Sequence, residues 1–309
     1  MAACFPALGC FARSFARKLE SYSFAFFLGV EFCMRVNEQL SRAVFERLNR
    51  QLGKLAKNSA ARNVHKFRTY SRRVEALLGD LAADPSRSDQ KLLKLLARLR
   101  RKAGQLRDLD VQSAALRNLK VPGSAGQKAQ LMAALIEDRA LRARNLGESF
   151  DRQTLGKVRK RLRRAAKSAV IPAEADPVKV ATQMLLQLEK GGGPLTEKTL
   201  HQYRIVGKRA RYVAELAGHD PEALRLVKRL KEMQDVIGDW HDWLKLTARA
   251  EKLFGSPSQS VLAAALRNIT RAKFRHALDV LAQVRAELRA PSIPPRKSPA
   301  PARRSKSAA

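Results

Sequence analysis

Cysteine is nearly absent from this chain, and what there is cannot brace it. Cys4, Cys10 and Cys33 all precede residue 34, so no disulfide framework holds the body together, as expected for a reducing compartment. No apolar run reaches membrane-spanning length; Ser23 to Val30 is too short and is ended by Glu31. Aromatic residues make up 6% of 309 positions, which leaves few platforms on which exposed bases would stack. Gly and Pro are confined to a few punctuation points, and no strand pattern occurs. Acid is in short supply. Asp and Glu number 28 against 61 Lys and Arg, a formal charge of +33. Self-repulsion of that size costs stability, so a polyanionic partner is expected to offset it. Nucleic acid, polyphosphate and an anionic membrane surface are the candidate classes.

What is present favours helix. Leu, Ala, Arg and Lys dominate, and 45% apolar residues suffice for a substantial core in one large or two small domains. Helical periodicity marks 36–57, 62–81, 92–101, 106–119, 127–146 and 178–188, then 196–216, a helix opening at Asp220-Pro221, and 260–288. Asp84-Pro85-Ser86, Val121-Pro122-Gly123-Ser124 and Gly191-Gly192-Gly193-Pro194 read as turns or loops. Asp220 is placed as an N-cap with Pro221 at the first helical position. Residues 157–167 carry seven Lys or Arg and no acid, and Ile171 to Pro177, with two prolines, is the expected linker between halves. Residues 1–33 read either as an amphipathic arm, with Arg13, Arg17 and Lys18 among phenylalanines, or as sequence ahead of a true start at Met34. Residues 291–309, rich in Pro, Ser, Ala and Arg without acid, are expected to be disordered.

One basic segment is written twice. Val64-His65-Lys66-Phe67-Arg68-Thr69-Tyr70-Ser71-Arg72-Arg73 aligns with Leu200-His201-Gln202-Tyr203-Arg204-Ile205-Val206-Gly207-Lys208-Arg209. On a helix advancing about 100° per residue, His65, Arg68 and Arg72 share one arc with Arg73 at its edge, opposite Val64, Phe67, Val74 and Leu78. His201, Arg204, Lys208 and Arg209 divide from Leu200, Tyr203 and Val206 in the same way, with Tyr212 beside the cations. A solvated basic face is ordinary on a surface helix, but it has little reason to keep a histidine and two basic positions in both copies. A metal site is disfavoured, because no second His, Cys or carboxylate stands at ligand spacing on either face.

A second block also recurs. Leu99 to Asp110 aligns with Leu230 to His241, which matches Arg98 with Arg229, Arg100 with Lys231 and Asp108 with Asp239. The two acids are expected to cap a helix or orient a neighbouring Arg rather than to catalyse.

At these residues the chain resembles the CHAD family, the conserved-histidine α-helical domain. The resemblance rests on His65 to Arg73, Leu106 to Asp110, His201 to Tyr212 and Leu230 to Asp242, and spans about residues 35–290. It implies an all-α fold of two antiparallel helical bundles, 34–170 and 177–290, related by a pseudo-twofold axis around a central basic groove or pore. It further implies binding of inorganic polyphosphate there, by His65, Arg68, Arg72, Arg73, His201, Arg204, Lys208, Arg209 and Lys231. Arg98, Arg100, Arg107, Tyr212 and Arg229 join them as members of the same blocks. The polar run Thr69-Tyr70-Ser71 departs from the family helix and is expected to loosen its packing. With no strand-rich segment to form a fused enzyme domain, the chain looks like a stand-alone binding module.

The expectation is therefore a non-enzymatic protein, without cofactor or metal, that binds polyphosphate in the cytoplasm and associates with polyphosphate granules. The alternative is a histone-like or RNA-binding protein that uses the same positive field without sequence specificity. A phosphohydrolase or phosphotransferase is the third class. It needs clustered carboxylates for Mg²⁺ or a glycine-rich phosphate loop; Gly191-Gly192-Gly193 lacks the following Gly-Lys-Ser/Thr, and Asp108/Asp110 and Asp239/Asp242 belong to different halves.

Overall fold

The computed structural model describes residues 38–190, 194–255 and 257–289, and all regular structure among them is helical. The N-terminal arm, the C-terminal tail and the three glycines 191–193 lie outside the described residues. The first half contributes α1 (Glu38–Lys57), α2 (Ala61–Ala76), α3 (Arg87–Asn118), α4 (Ala125–Glu148) and α5 (Arg152–Ser168). The second contributes α6 (Pro177–Glu189), α7 (Glu197–Ala214), α8 (Pro221–Phe254) and α9 (Val261–Arg289).

The short supply of acid is partly spent on helix starts. Asp151, Asp176 and Asp220 cap α5, α6 and α8 through their carboxylates, with Pro177 and Pro221 at the first helical positions. Ser86 and Asp89 form a reciprocal capping box on α3, and Thr196 caps α7. The cap read at Asp220 is seen directly: its Oδ1 accepts from Ala223 N at 2.7 Å.

Two boundaries differ from the sequence reading. The segments 92–101 and 106–119 are one continuous helix, α3. Gly104 lies inside it at a position that an isolated helix disfavours by about 1 kcal/mol. Burial of Leu96, Leu99, Ala103, Leu106 and Leu109 along the helix overrides that preference. Gly104 also has a steric role: a Cβ there would collide with the Arg68 guanidinium, whose Nη1 donates to Arg100 O at 3.0 Å. Second, α2 ends in a π turn at Leu77–Leu81, which buries Leu77, Leu78 and Leu81.

The apolar stripes meet in one core shared by both halves, with Leu48, Phe67, Val74 and Leu99 from the first and Tyr203, Val213, Met233 and Trp240 from the second. Phe67 meets Phe150 edge to face at 5.7 Å. A smaller cluster joins the far ends of the long helices through Leu109, Leu116, Leu135, Leu246 and Leu266. α1 with α2, α3 with α4, α6 with α7 and α8 with α9 pack as hairpins, and across the halves α2 contacts α7 while α3 contacts α8. The helices that carry the repeated blocks thus meet their own counterparts. α5 packs on α1 and α3, and the second half shows no matching fifth helix among the described residues.

Candidate functional site

Because α2 and α7 pack by their apolar faces into a common core, their cationic faces turn into one cleft between them, floored by α3 and α8. The cleft is a cavity of about 620 Å³. His65, Arg68, Arg72, Arg73, Arg107, Arg204, Lys208, Tyr212 and Lys231 line it, as does Arg211. Asp108, Asp235, Asp239, Asp242 and Glu215 also reach it, but three of these carboxylates are engaged. Asp108 accepts from Lys245 Nζ at 2.6 Å, Asp239 pairs with Lys273 at 2.8 Å, and Glu215 takes Arg73 Nε at 2.8 Å with Arg211 Nε at 3.7 Å. Asp108 and Asp239 sit in the middle of α3 and α8, so neither caps a helix. Each instead holds a lysine.

The centre of the cleft is a cluster of four cations, Arg68 and Arg72 from α2 with Arg204 and Lys208 from α7. Burial and then the charges of Arg204, Arg72 and Arg68 push the Lys208 ammonium down to about 7. Arg68 is lowered to about 10, first by burial and then by Arg72. Arg72 is lowered by burial and Arg100, against the pull of Glu75 at 4.0 Å. Arg204 buries its Nε without a hydrogen-bond partner. These groups are crowded, partly dehydrated and short of counter-charge. They form a receptor for anionic oxygen, since guanidinium supplies forked donors and ammonium a compact charge.

The repeated positions separate by role. The first is His65 or His201. His65 lines the cleft, where burial and then Arg107, Arg68 and Arg211 lower its pKa. His201 lies outside the lining, exposed, with its ring 5.8 Å from that of His241. The second and third positions, Arg68/Arg204 and Arg72/Lys208, converge in the cluster. The fourth, Arg73/Arg209, ties the halves together. Arg73 binds Glu215 of the second half, and Arg209 Nε donates to Asp80 of the first at 2.8 Å. Asp80 hangs from the π turn with its side chain 1% exposed, and burial raises its pKa despite the bond to Arg209.

Three further residues of the expected site are placed away from the cavity. Arg100 is buried, donating to Ser71 Oγ at 3.1 Å and to Glu75 at 2.7 Å. Its partner gives the polar run in α2 a use: Ser71 is fully buried and receives Arg100 from α3, and Thr69 Oγ1 returns to His65 O at 3.1 Å. Arg229 pairs with Glu287 at 2.6 Å on the outer face of α8. Arg98 is exposed outside the cleft lining. Arg211 is the lining cation that the repeat alignment passes over. On the α7 wheel it falls about 20° from Arg204, which is the signal that finds it. It lies over the Tyr212 ring at 4.8 Å.

A family profile described as CHAD domain matches residues 39–251. The chain belongs to the CHAD domain family. Its fold matches the CHAD domain from the plant Ricinus communis at a TM-score of 0.61 and 18% identity, over 87% of this chain and 96% of that one. PptA from Streptomyces chartreusis aligns at the same TM-score and identity, over 82% of this chain and 99% of its own. No functionally curated protein matches it. For this CHAD protein the all-helical fold and the family are therefore fixed. Among the described residues no helix is long and apolar enough to cross a membrane, and no group of three or more His, Cys, Asp or Glu is arranged to hold a metal ion.

Proposed function

We propose that the cleft between α2 and α7 holds a stretch of inorganic polyphosphate, and holds it without cleaving it. The observation that carries this reading is the convergence of Arg68, Arg72, Arg204 and Lys208, close enough to bring the lysine to about 7. A chain of closely spaced, chemically uniform phosphates asks for such an array of charged donors and for no base-reading code. The one aromatic ring of the lining, Tyr212, is buried beneath Arg211 and offers no open face for a base. Engagement of Asp108, Asp239 and Glu215 by cations leaves Asp235 and Asp242 in the lining, two carboxylates where Mg²⁺-dependent transfer calls for a cluster, which speaks for retention. The family resemblance points to the same ligand. A protein with this property would concentrate on polyphosphate granules.

The test is competition. Labelled long-chain polyphosphate should remain bound at moderate salt under a large excess of duplex DNA. Its affinity should fall steeply with added salt, by roughly 10³-fold or more between 50 and 200 mM if six or more phosphates are contacted. Displacement by DNA at equal phosphate concentration would overturn the reading in favour of a nonspecific nucleic-acid site, and release of orthophosphate would overturn retention.

The histidines give a second expected outcome. In the free protein His65 titrates below its ordinary 6.5 because of burial and three arginines. A bound polyanion neutralises those arginines and raises it, so binding takes up a proton and affinity increases as pH falls through the 6.5 region. His65→Gln should flatten that part of the pH profile, whereas His201→Gln, outside the lining, should leave it intact. Affinities at pH 5.5, 6.5 and 7.5 for both variants check this; a profile that follows His201 would show the cleft extends to that end of α7.

A further inference from the structure

α5 is an odd element. Among the described residues it has no counterpart in the second half, and none of its residues lines the cleft. Its only apolar anchors are Val158, Leu162 and Ala165, fully buried against α1 and α3, with Leu155 packed at the core's edge. Every other turn presents cations. Lys157, Arg159, Lys160, Arg163, Arg164 and Lys167 are exposed, the helix contains no acid, and none of the six has an ion-pair partner among the described residues. The Asp151 carboxylate at its start is committed to Thr154.

The geometry of that face differs from the cleft in kind. Lys157, Lys160, Arg164 and Lys167 advance by three or four residues, so they form a straight stripe with steps of about 4.5–6 Å. The stripe runs along the outside of the helix and its charges keep their water, only its last member, Lys167, bordering a separate cavity of about 470 Å³, whereas the cleft is concave and its charges are crowded. A duplex, whose major groove alone is about 12 Å wide, is too broad for a cavity of 620 Å³ but lies readily along a ridge. The exposed non-basic positions of α5 are Gln153, Gly156, Ala166 and Ser168, and the exposed Val170 stands alone past the helix end, so the stripe itself offers no apolar row to enter a bilayer and no aromatic to stack on unpaired bases. Those two absences disfavour a membrane surface and a single strand. They leave contact with a double-stranded sugar-phosphate backbone.

We propose that α5 is a second anion-binding surface, separate from the cleft, that docks the backbone of duplex nucleic acid without reading its sequence. Together the two surfaces let one molecule hold a thin polyanion inside and a wide one outside at the same time.

The experiment uses the full chain and four ligands: a fluorescent 20-base-pair DNA, the same duplex in RNA, long-chain polyphosphate, and vesicles containing anionic lipid. The variant carries Lys157→Gln, Lys160→Gln, Arg164→Gln and Lys167→Gln; glutamine keeps the helix propensity, and circular dichroism verifies the fold. Expected is a loss of duplex affinity of about tenfold or more at 100 mM salt, with the salt slope shallower by up to about 3–4 for four lost phosphate contacts. Polyphosphate affinity should change less than threefold, and saturating polyphosphate should leave the duplex bound to the wild-type protein. A cleft variant with Arg68→Gln and Lys208→Gln should show the reverse selectivity. If DNA and RNA duplexes both bind the α5 variant as well as wild type, or if the α5 change weakens polyphosphate or vesicle binding as much as duplex binding, the proposal is overturned. Failure of the polyphosphate arm alone would count against the cleft reading and leave the duplex result to decide α5.

Discussion

Removing two charges from either side of the cleft should cripple polyphosphate binding to the same degree. Arg68→Gln with Arg72→Gln empties the α2 face; Arg204→Gln with Lys208→Gln empties the α7 face. Each lost charge-assisted contact in a partly dehydrated site is worth about 1.5–3 kcal/mol, so either double variant should bind about 10² to 10⁴ times more weakly, at 1.4 kcal/mol per factor of ten. The symmetry of the loss matters more than its size. All four cations bear on one another, as the lowering of Lys208 by Arg204, Arg72 and Arg68 shows, so one ligand should meet them all. Isothermal titration with polyphosphate of defined length measures both constants. A loss confined to one pair would mean that the two faces do not share a ligand.

The second large effect runs the other way, on stability. Lys208 holds its proton in the folded chain only below about 7, against 10.5 when unperturbed. Between those values the unfolded chain binds the proton and the folded chain does not, so this group makes stability rise as pH increases from 7 towards 10.5. Below pH 7 both states carry the charge, and the full cost of burying it among arginines remains. Lys208→Met removes that cost. At pH 6–7 the unliganded variant should be more stable by on the order of 1–3 kcal/mol, once solvent screening of a partly exposed head group is allowed for. That is a rise of several degrees in Tm for a protein of this size, and it should shrink as pH approaches 10. Polyphosphate reverses the comparison: it keeps Lys208 protonated, so wild-type affinity should fall as pH climbs above 7 while that of the variant changes less. Thermal melts at pH 6, 8 and 9.5, with and without ligand, separate the two curves. A variant less stable than wild type at pH 6 would show that Lys208 belongs to the packing of the core and not to a strained receptor.

The all-helical fold was legible because its signals are local. Apolar residues at helical spacing, an Asp-Pro start at Asp220 and the absence of any alternating pattern each act within a few residues. The break expected near Gly104 failed because burial on several sides of α3, and the need to let Arg68 approach its backbone, outweigh intrinsic preference. In the site, duplication picked out Arg68, Arg72, Arg204 and Lys208, since only a shared task preserves paired cations in two places. It did not separate them from Arg73, Arg209 and Arg100, whose acceptors Glu215, Asp80, Ser71 and Glu75 are remote in sequence or lie on the next helix. Whether a basic residue faces ligand or counter-ion is decided by tertiary neighbours, and one helical wheel cannot contain them.

The reciprocal grip of Arg73 on Glu215 and Arg209 on Asp80 has a consequence for how this architecture can be cut and reused. Each half lends an acid to a cation of the other, although Glu215 also meets Arg211 of its own half whereas Asp80 is held by Arg209. A fragment ending at the linker after α5 would lose Arg209, the partner of Asp80, together with the second-half side chains that complete its core, and is expected not to fold alone. The halves are written twice but are not modules. Sharing one core, neither half is expected to fold when lent to another protein or shed, and a split chain is expected to need both pieces, in one cell and in equal number, before either folds.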